Sequence, residues 1–302
     1  MRLKIKKRYS TTRTTPATVA CDVLIRLFFA VYVASVIYVL WQTMLTSISP
    51  EVENLSARIR FWTTEPSFKA YSEIWSRGGL GNAFMNNIYI SVLGTLLHVL
   101  ICTMAGYALA KPDYPFKQAM LTIIMISMLV PAQMTMVPTF TLYRSLNLIN
   151  SLNSLLVSGL VSGFSIIVMR NYFLSVPISL WESAKLDGAG EFTVFWRIYV
   201  PISKPGFATI ITLQFVAKWN SFFDAVLFIN DTSKQVLQPT LNNIILSISN
   251  AAQIGSSVEN QLTFGQNVRS AAIVITMLPI LILYPFMQKY LIKGMTVGAV
   301  KE

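Results

Sequence analysis

Long runs without a charge constrain this chain more than any other feature. Between successive acidic and basic residues, Leu27–Pro50 runs for 24 residues and Gly78–Ala110 for 33. Gln118–Tyr143 runs for 26, Ser145–Met169 for 25 and Ser270–Gln288 for 19. A helix needs about 20 apolar residues to cross the hydrocarbon core of a bilayer. These five runs are therefore expected spans. A sixth, from Gly206 to Ile229, is apolar but carries Lys218 and Asp224. Within lipid only helices and closed barrels satisfy their own backbone. A barrel would show segments of about 10 residues with alternating polarity, and the chain has none. The expected fold is all-α: a polytopic membrane protein with six transmembrane helices. Charged residues make up only 12% of the chain, against about 25% in soluble domains.

The first run is too long for a cleaved leader and lacks a small-residue cleavage site before a soluble domain. The net charge of +11 could suggest nucleic acid, but its distribution argues against it. With six spans, one side of the membrane collects 16 of the 24 Lys and Arg residues and the other collects seven, with Lys218 inside a span. The richer side includes both termini and Lys111, Lys117, Arg170, Lys185, Arg197 and Lys204. Cytoplasmic loops carry the excess of basic residues, so both termini are expected in the cytoplasm and no nucleic-acid partner is expected.

Along the chain, residues 1–22 form a basic tail suited to anionic lipid. Residues 23–81 hold the first span, Val23 to Thr46, and an external segment with short surface helices. A core of five helices follows over 82–290, with a loop at 175–205, and 291–302 form a cytoplasmic tail. The second span runs from Asn86 to Ala110 and stops at Lys111-Pro112. Its His98 is either a proton relay or a hydrogen-bonded packing group; no second titratable group lies in that span, which favours packing. The third span, Gln118 to Val137, should kink at Pro131, leaving Gln133 and Thr135 free to face an aqueous cavity. The fourth, Leu152 to Phe173, carries Gly159 and Gly163 in a GxxxG pattern that permits close helix packing. In the fifth, Lys218 and Asp224 are too far around a straight helix to pair, so each pairs with a neighbouring helix, snorkels, or lines a polar cavity. Asn250–Ser257 is expected to be a flexible loop, and the last span covers Ser270 to Met287. Cys21 and Cys102 suit packing rather than a disulfide or a metal site, and no metal site is expected.

One stretch departs from this apolar pattern. Within WESAKLDGAGEFTVFWRIYVP, Trp181 to Pro201, stand Glu182, Lys185, Asp187, Glu191 and Arg197. Pro177 suits a helix start, and Gly188 and Gly190 suit its end. The expectation is a short polar helix, a glycine break, a second short helix and a stop at Pro201. The charge count puts this loop in the cytoplasm, in a form suited to contact with another protein.

Glu182-Ser183-Ala184, then Asp187-Gly188-Ala189, then Ile198-x-Val200-Pro201 resembles the E-A-A-x-x-D-G-A-x8-I-x-L-P loop of importer-type ABC transporter permeases. Ser183 stands for the usual Ala and Val200 for the usual Leu. The likeness extends to Asn86 and Asn87, to Gly106-Tyr107-Ala108-Leu109-Ala110, to Trp219-Asn220 and to the tail from Lys293 to Lys301. Together these resemble the second permease subunit of maltose-type carbohydrate importers, over roughly Pro66 to Lys301. The resemblance implies a type I ABC importer permease fold. It implies a coupling helix made of Glu182, Ser183, Ala184, Asp187, Gly188, Ala189 and Pro201, docked in a cleft of a cytoplasmic ATPase dimer. It implies a heterodimer with a second, homologous permease subunit, an extracytoplasmic solute-binding protein, and a sugar, an oligosaccharide, as cargo. Lys218, Trp219, Asn220, Phe223, Asp224 and Gln133 supply the residue types of a sugar path. Gln253, Ile254 and Gly255 correspond in position to the loop that enters the binding protein.

The chain has no GxxxxGK[ST] phosphate loop, so ATP and Mg2+ would sit on the ATPase partner and this chain would need no cofactor. It has no HExxH or GxSxG pattern and one histidine, leaving little material for an embedded enzyme. An ion-driven secondary transporter would show internal repeats and broken helices around an ion site. A peptide-type ABC permease would share the loop but not the Trp-Asn run or the tail.

Overall fold

The computed structural model describes residues 16–50, 61–63, 65–76, 79–111, 114–254 and 258–298, with the backbone alone for 17, 248–254, 258–265 and 289–298. Among these the chain is helical and contains no strand. Three helices are long and apolar enough to cross a membrane: Thr18–Ile48, Leu80–Ala110 and Gln266–Gln288. Three bent helix pairs raise that number to as many as six.

The first helix, α1 (Pro16–Ile48), starts earlier than expected and packs along the last. A short surface helix follows, α2 (Lys69–Ser76), as the external segment predicted. Next is α3 (Leu80–Ala110), which contacts more of the fold than any other element. The third span is not kinked but broken at Pro131, into α4 (Lys117–Leu129) and α5 (Ala132–Ser145), which meet at 101°. Proline has no N–H to donate and clashes with the preceding turn; Val130, pushed to extended backbone before it, ends the first piece.

The fourth span is also in two pieces, α6 (Leu152–Val157) and α7 (Gly163–Leu174). The GxxxG pattern is therefore not a helical stripe. Gly159 lies in the break with φ +64°, and Gly163 opens the second helix behind the cap of Ser162. Only Gly163 serves close packing: a Cβ there would lie 2.8 Å from Met128 on α4.

The charged loop contains α8 (Ile178–Leu186) and α9 (Glu191–Ile202), and leads at an 82° bend into α10 (Lys204–Trp219). Pro201 does not end α9, which continues to Ile202 and stops at Ser203. The turn Phe195–Tyr199 is widened into a π-helix, and the shift in hydrogen-bond register there accommodates a residue with no N–H to donate. The fifth span is not straight either: α10 ends at Trp219 and α11 (Phe223–Phe228) follows a break. Then come α12 (Leu237–Ile254) and α13 (Val258–Gly298). Asn250–Ile254 are thus helical rather than loop, and α13 continues past Met287 through the expected tail boundary.

α3 is the mast of the fold. It packs against α7, α10, α6 and α12. Gly106 makes the α7 contact possible, since a Cβ there would sit 3.0 Å from the Arg170 nitrogen and the Ile166 oxygen. Among membrane helices packing rather than water exclusion drives association, and small residues allow it.

Candidate functional site

At the C-terminal end of α3, Tyr107, Phe173, Phe195 and Tyr199 form a buried aromatic cluster, with Tyr107 and Tyr199 centroids 4.9 Å apart. The charged loop sits on this cluster. Trp181, Ala184 and Ala189 pack against it, yet no residue of α8 is fully buried. The opposite face of α8 carries Glu182, Ser183 and Asp187, all exposed. Leu186, next to them, is 89% exposed. An apolar side chain so far exposed at the end of a helix is a natural anchor for a partner.

The end of α8 is held by a complete Schellman motif. Gly188 takes φ +78°, its N–H donates to the Lys185 carbonyl at 3.0 Å, and the Ala189 N–H donates to the Ala184 carbonyl at 2.9 Å. Ala184 and Ala189 also pack on one cluster, the apolar contact that accompanies this cap. So Ala184, Asp187, Gly188 and Ala189 act as one rigid unit, with Glu182 and Ser183 one turn back. Pro201 lies apart, about three helical turns beyond Gly190.

Glu191 is the electrostatic centre of the loop. Its Oε2 receives Lys111 Nζ at 2.7 Å and the Tyr107 hydroxyl at 2.9 Å. Its Oε1 receives Lys185 Nζ at 3.0 Å. Partial burial alone would raise its pKa, but the hydrogen bonds from Lys111, Lys185 and Tyr107 outweigh this and bring it down to about 2. A single exposed ion pair contributes only about 0–1 kcal/mol; three donors on one carboxylate make a network instead. The end of α3 is further capped by Arg170 Nε on the Leu109 carbonyl at 3.2 Å and Lys117 Nζ on the Lys111 carbonyl at 3.0 Å, cations placed at a negative helix end.

The residues named for a sugar path divide. Lys218 is buried, and its Nζ donates to the carbonyls of Leu155 and Ser158 where α6 ends. The Ser158 hydroxyl in turn donates to Asp224 Oδ2. The lysine and aspartate thus meet through the broken fourth span, a geometry that straight helices would not allow. Trp219 is 1% exposed, stacked on Phe215 and donating to the Thr276 carbonyl at 2.9 Å. Both side chains are enclosed by the chain's own packing. Asn220 and Phe223, in contrast, are exposed, and Asp224 is half-buried. Gln133 is exposed on α5. Gln253 and Ile254 are the last residues of α12, their side chains outside the described set, and Gly255 lies outside the described residues.

His98 is buried with Nδ1 3.1 Å from the Gly159 carbonyl and Nε2 2.9 Å from Ser165 Oγ. The carbonyl needs a donor, which assigns the Nδ1–H tautomer with Nε2 accepting from the serine. His98 is a packing group that splints the break after α6. Gln214 supports the same carbonyl at 3.1 Å, and Asn87 donates to the Trp219 carbonyl, where α10 breaks, at 3.3 Å.

Sequence reasoning missed Glu191 as a hub, Lys111 and Tyr107 as its partners, Leu186 as an exposed anchor, and Ser158. The clustering of Glu191 with Lys185 in one charged island was the available signal; Lys111 is 80 positions away from Glu191, and only the fold joins them. Among the described residues no group of at least three His, Cys, Asp or Glu side chains could hold a metal ion.

A family profile described as "Binding-protein-dependent transport system inner membrane component" matches residues 99–297. Protein LplC of Bacillus subtilis is 36% identical over 232 residues, covering 77% of this chain and 78% of that protein. The arabinooligosaccharides transport system permease protein AraQ of the same organism is 28% identical, covering 96% of this chain and 99% of that protein. A crystal structure of a bacterial ABC transporter involved in the import of the acidic polysaccharide alginate contains a similar chain. That similarity has a TM-score of 0.79 at 26% identity and covers 91% of this chain and 98% of the other.

Proposed function

Because this chain belongs to the family of binding-protein-dependent transport system inner membrane components, we propose that it is one permease subunit of an ATP-driven oligosaccharide importer. The observation that carries the coupling role is α8: a capped, rigid helix with Glu182, Ser183, Asp187 and Leu186 presented outward. In this reading α8 docks in a cleft of a cytoplasmic ATPase. Glu182 meets a basic group there, Ala184 permits close approach of α8 to the aromatic cluster beneath it, and Gly188 makes the turn that ends the helix. ATP and Mg2+ belong to the ATPase partner. Closure of the ATPase dimer moves α8 as a rigid body and tilts the spans between inward- and outward-facing states. Both termini lie in the cytoplasm, in keeping with the charge distribution.

The sugar, delivered by an extracytoplasmic solute-binding protein, passes between this chain and a second, homologous permease subunit. Side chains at the break after α10 face that path: Asn220, the half-buried Asp224 and the exposed ring of Phe223. Lys218 and Trp219 act behind them, holding the wall rather than touching the cargo. The end of α12, with Gln253 and Ile254, faces the binding protein. Relatives named for arabino-oligosaccharides and for polygalacturonan and rhamnogalacturonan favour a sugar oligomer over a peptide.

The test is reconstitution of the full complex in vesicles with loaded binding protein. Uptake that requires ATP and the ATPase supports the proposal. Uptake that follows an ion gradient without the ATPase overturns it and favours a secondary transporter.

A further inference from the structure

The geometry points to Glu191 as the positioning residue that locks the docking helix α8 to the central helix α3, so that motion received by one is passed to the other. This rests on the coupling role proposed for α8. Its two carboxylate oxygens serve different elements. Oε1 holds Lys185 of α8 at 3.0 Å, while Oε2 holds Lys111 at 2.7 Å and Tyr107 at 2.9 Å, at the end of α3. Glu191 itself opens α9, so three elements meet on one side chain.

The lock matters because α8 has little else to hold it in register. None of its residues is fully buried. Its packing on the aromatic cluster through Trp181, Ala184 and Ala189 is apolar and without direction, so it permits sliding. The carboxylate bridge supplies direction. Lys185 also lies 5.8 Å from the Trp181 ring centroid and Lys111 lies 4.9 Å from that of Tyr107. Each lysine is therefore steered towards Glu191 by an aromatic face of its own element. α3 in turn contacts α7, α10, α6 and α12, so a displacement delivered to its end reaches the broken spans. None of the exposed docking side chains takes part in the lock.

The experiment uses the assembled complex in proteoliposomes and measures sugar uptake and ATP hydrolysis together. Glu191→Gln keeps the shape but cannot accept from both lysines. It should leave hydrolysis within about twofold of the parent, as for a surface change, and cut sugar moved per ATP by about tenfold or more. Lys185→Met removes only the α8 arm and should give the same split. Lys111→Arg, a donor of the same charge, should restore coupling that Lys111→Met loses. Normal sugar per ATP in both Glu191→Gln and Lys185→Met would overturn the inference, as would equal loss of coupling in Lys111→Arg and Lys111→Met. If Glu191→Gln fails to assemble, Lys185→Met decides alone. A parent complex without ATP-dependent uptake would instead overturn the proposed function, so the two failures are distinguishable.

Discussion

At the scale of single residues, the exposed and the enclosed groups of this chain call for different tests. The Glu182 side chain is exposed on α8. Glu182→Lys should therefore leave the melting temperature of the purified chain unchanged while the ATPase no longer copurifies. Retention of the ATPase would remove Glu182 from the docking surface. Gly188 has φ +78° with open space around it, so a substitution there strains only the backbone. Gly188→Val should cost about 1–2 kcal/mol in the left-handed region, loosening the end of α8 without blocking membrane insertion. Lys218 is the opposite case. Lys218→Met leaves the Leu155 and Ser158 carbonyls without their donor, at about 1–3 kcal/mol for each buried group. A lower melting temperature with unchanged sugar preference is expected; a changed preference at full stability would return Lys218 to the sugar path. Glu191 bears on pH. Its pKa of about 2 lies below the ordinary carboxylate value, so its contribution is complete above that ordinary value and fades as pH falls towards 2. Protease cleavage of the loop should therefore be independent of pH from neutrality down to about 5 and rise only in stronger acid.

At the scale of elements, breaks are the recurrent feature. The third, fourth and fifth spans each contain one, and each leaves carbonyls that lipid cannot satisfy. Side chains from neighbouring helices complete those of the fourth and fifth: Lys218, His98 and Gln214 at the end of α6, and Asn87 at the end of α10. Pro131 signalled the first break in the sequence, though as a kink. The breaks at Ser158–Ser162 and after Trp219 carried no such signal. Ser, Gly and Asn are tolerated within membrane helices, and their donors come from residues distant along the chain. The glycine in α3 has a sharper role. Gly106→Val would drive a side chain into the backbone of α7 at Arg170 and Ile166. Overpacking costs about 1–3 kcal/mol, and the expected result is loss of folded protein in gentle detergent. Normal yield and stability would mean that α3 and α7 separate freely.

At the scale of the whole molecule, topology is the testable property. With Cys21 and Cys102 replaced by serine, a single cysteine at Asp187 should react only with a reagent applied from the cytoplasmic side. One at Gln238, at the start of α12, should react only from outside. Labelling of both from one side would contradict the six-span arrangement and the cytoplasmic placement of α8. The helical class, the long apolar helices and the polar loop that follows Leu174 were all legible in the sequence. They depend on hydropathy and charge summed over tens of residues, which neighbours in the fold do not alter. The local form of that loop was legible too, because Glu182 to Ala189 lie within one short helix and its cap. What only the tertiary structure decided is where the spans break and what Lys218, Trp219 and Glu191 touch. Lys218 could reach a cavity or a carbonyl with equal chemical ease, and a break in a helix 60 positions earlier, at Ser158, supplied the carbonyl. Glu191 became a hub because the fold brings the end of α3 beneath the loop, and long-range contact of that kind leaves no trace in local spacing.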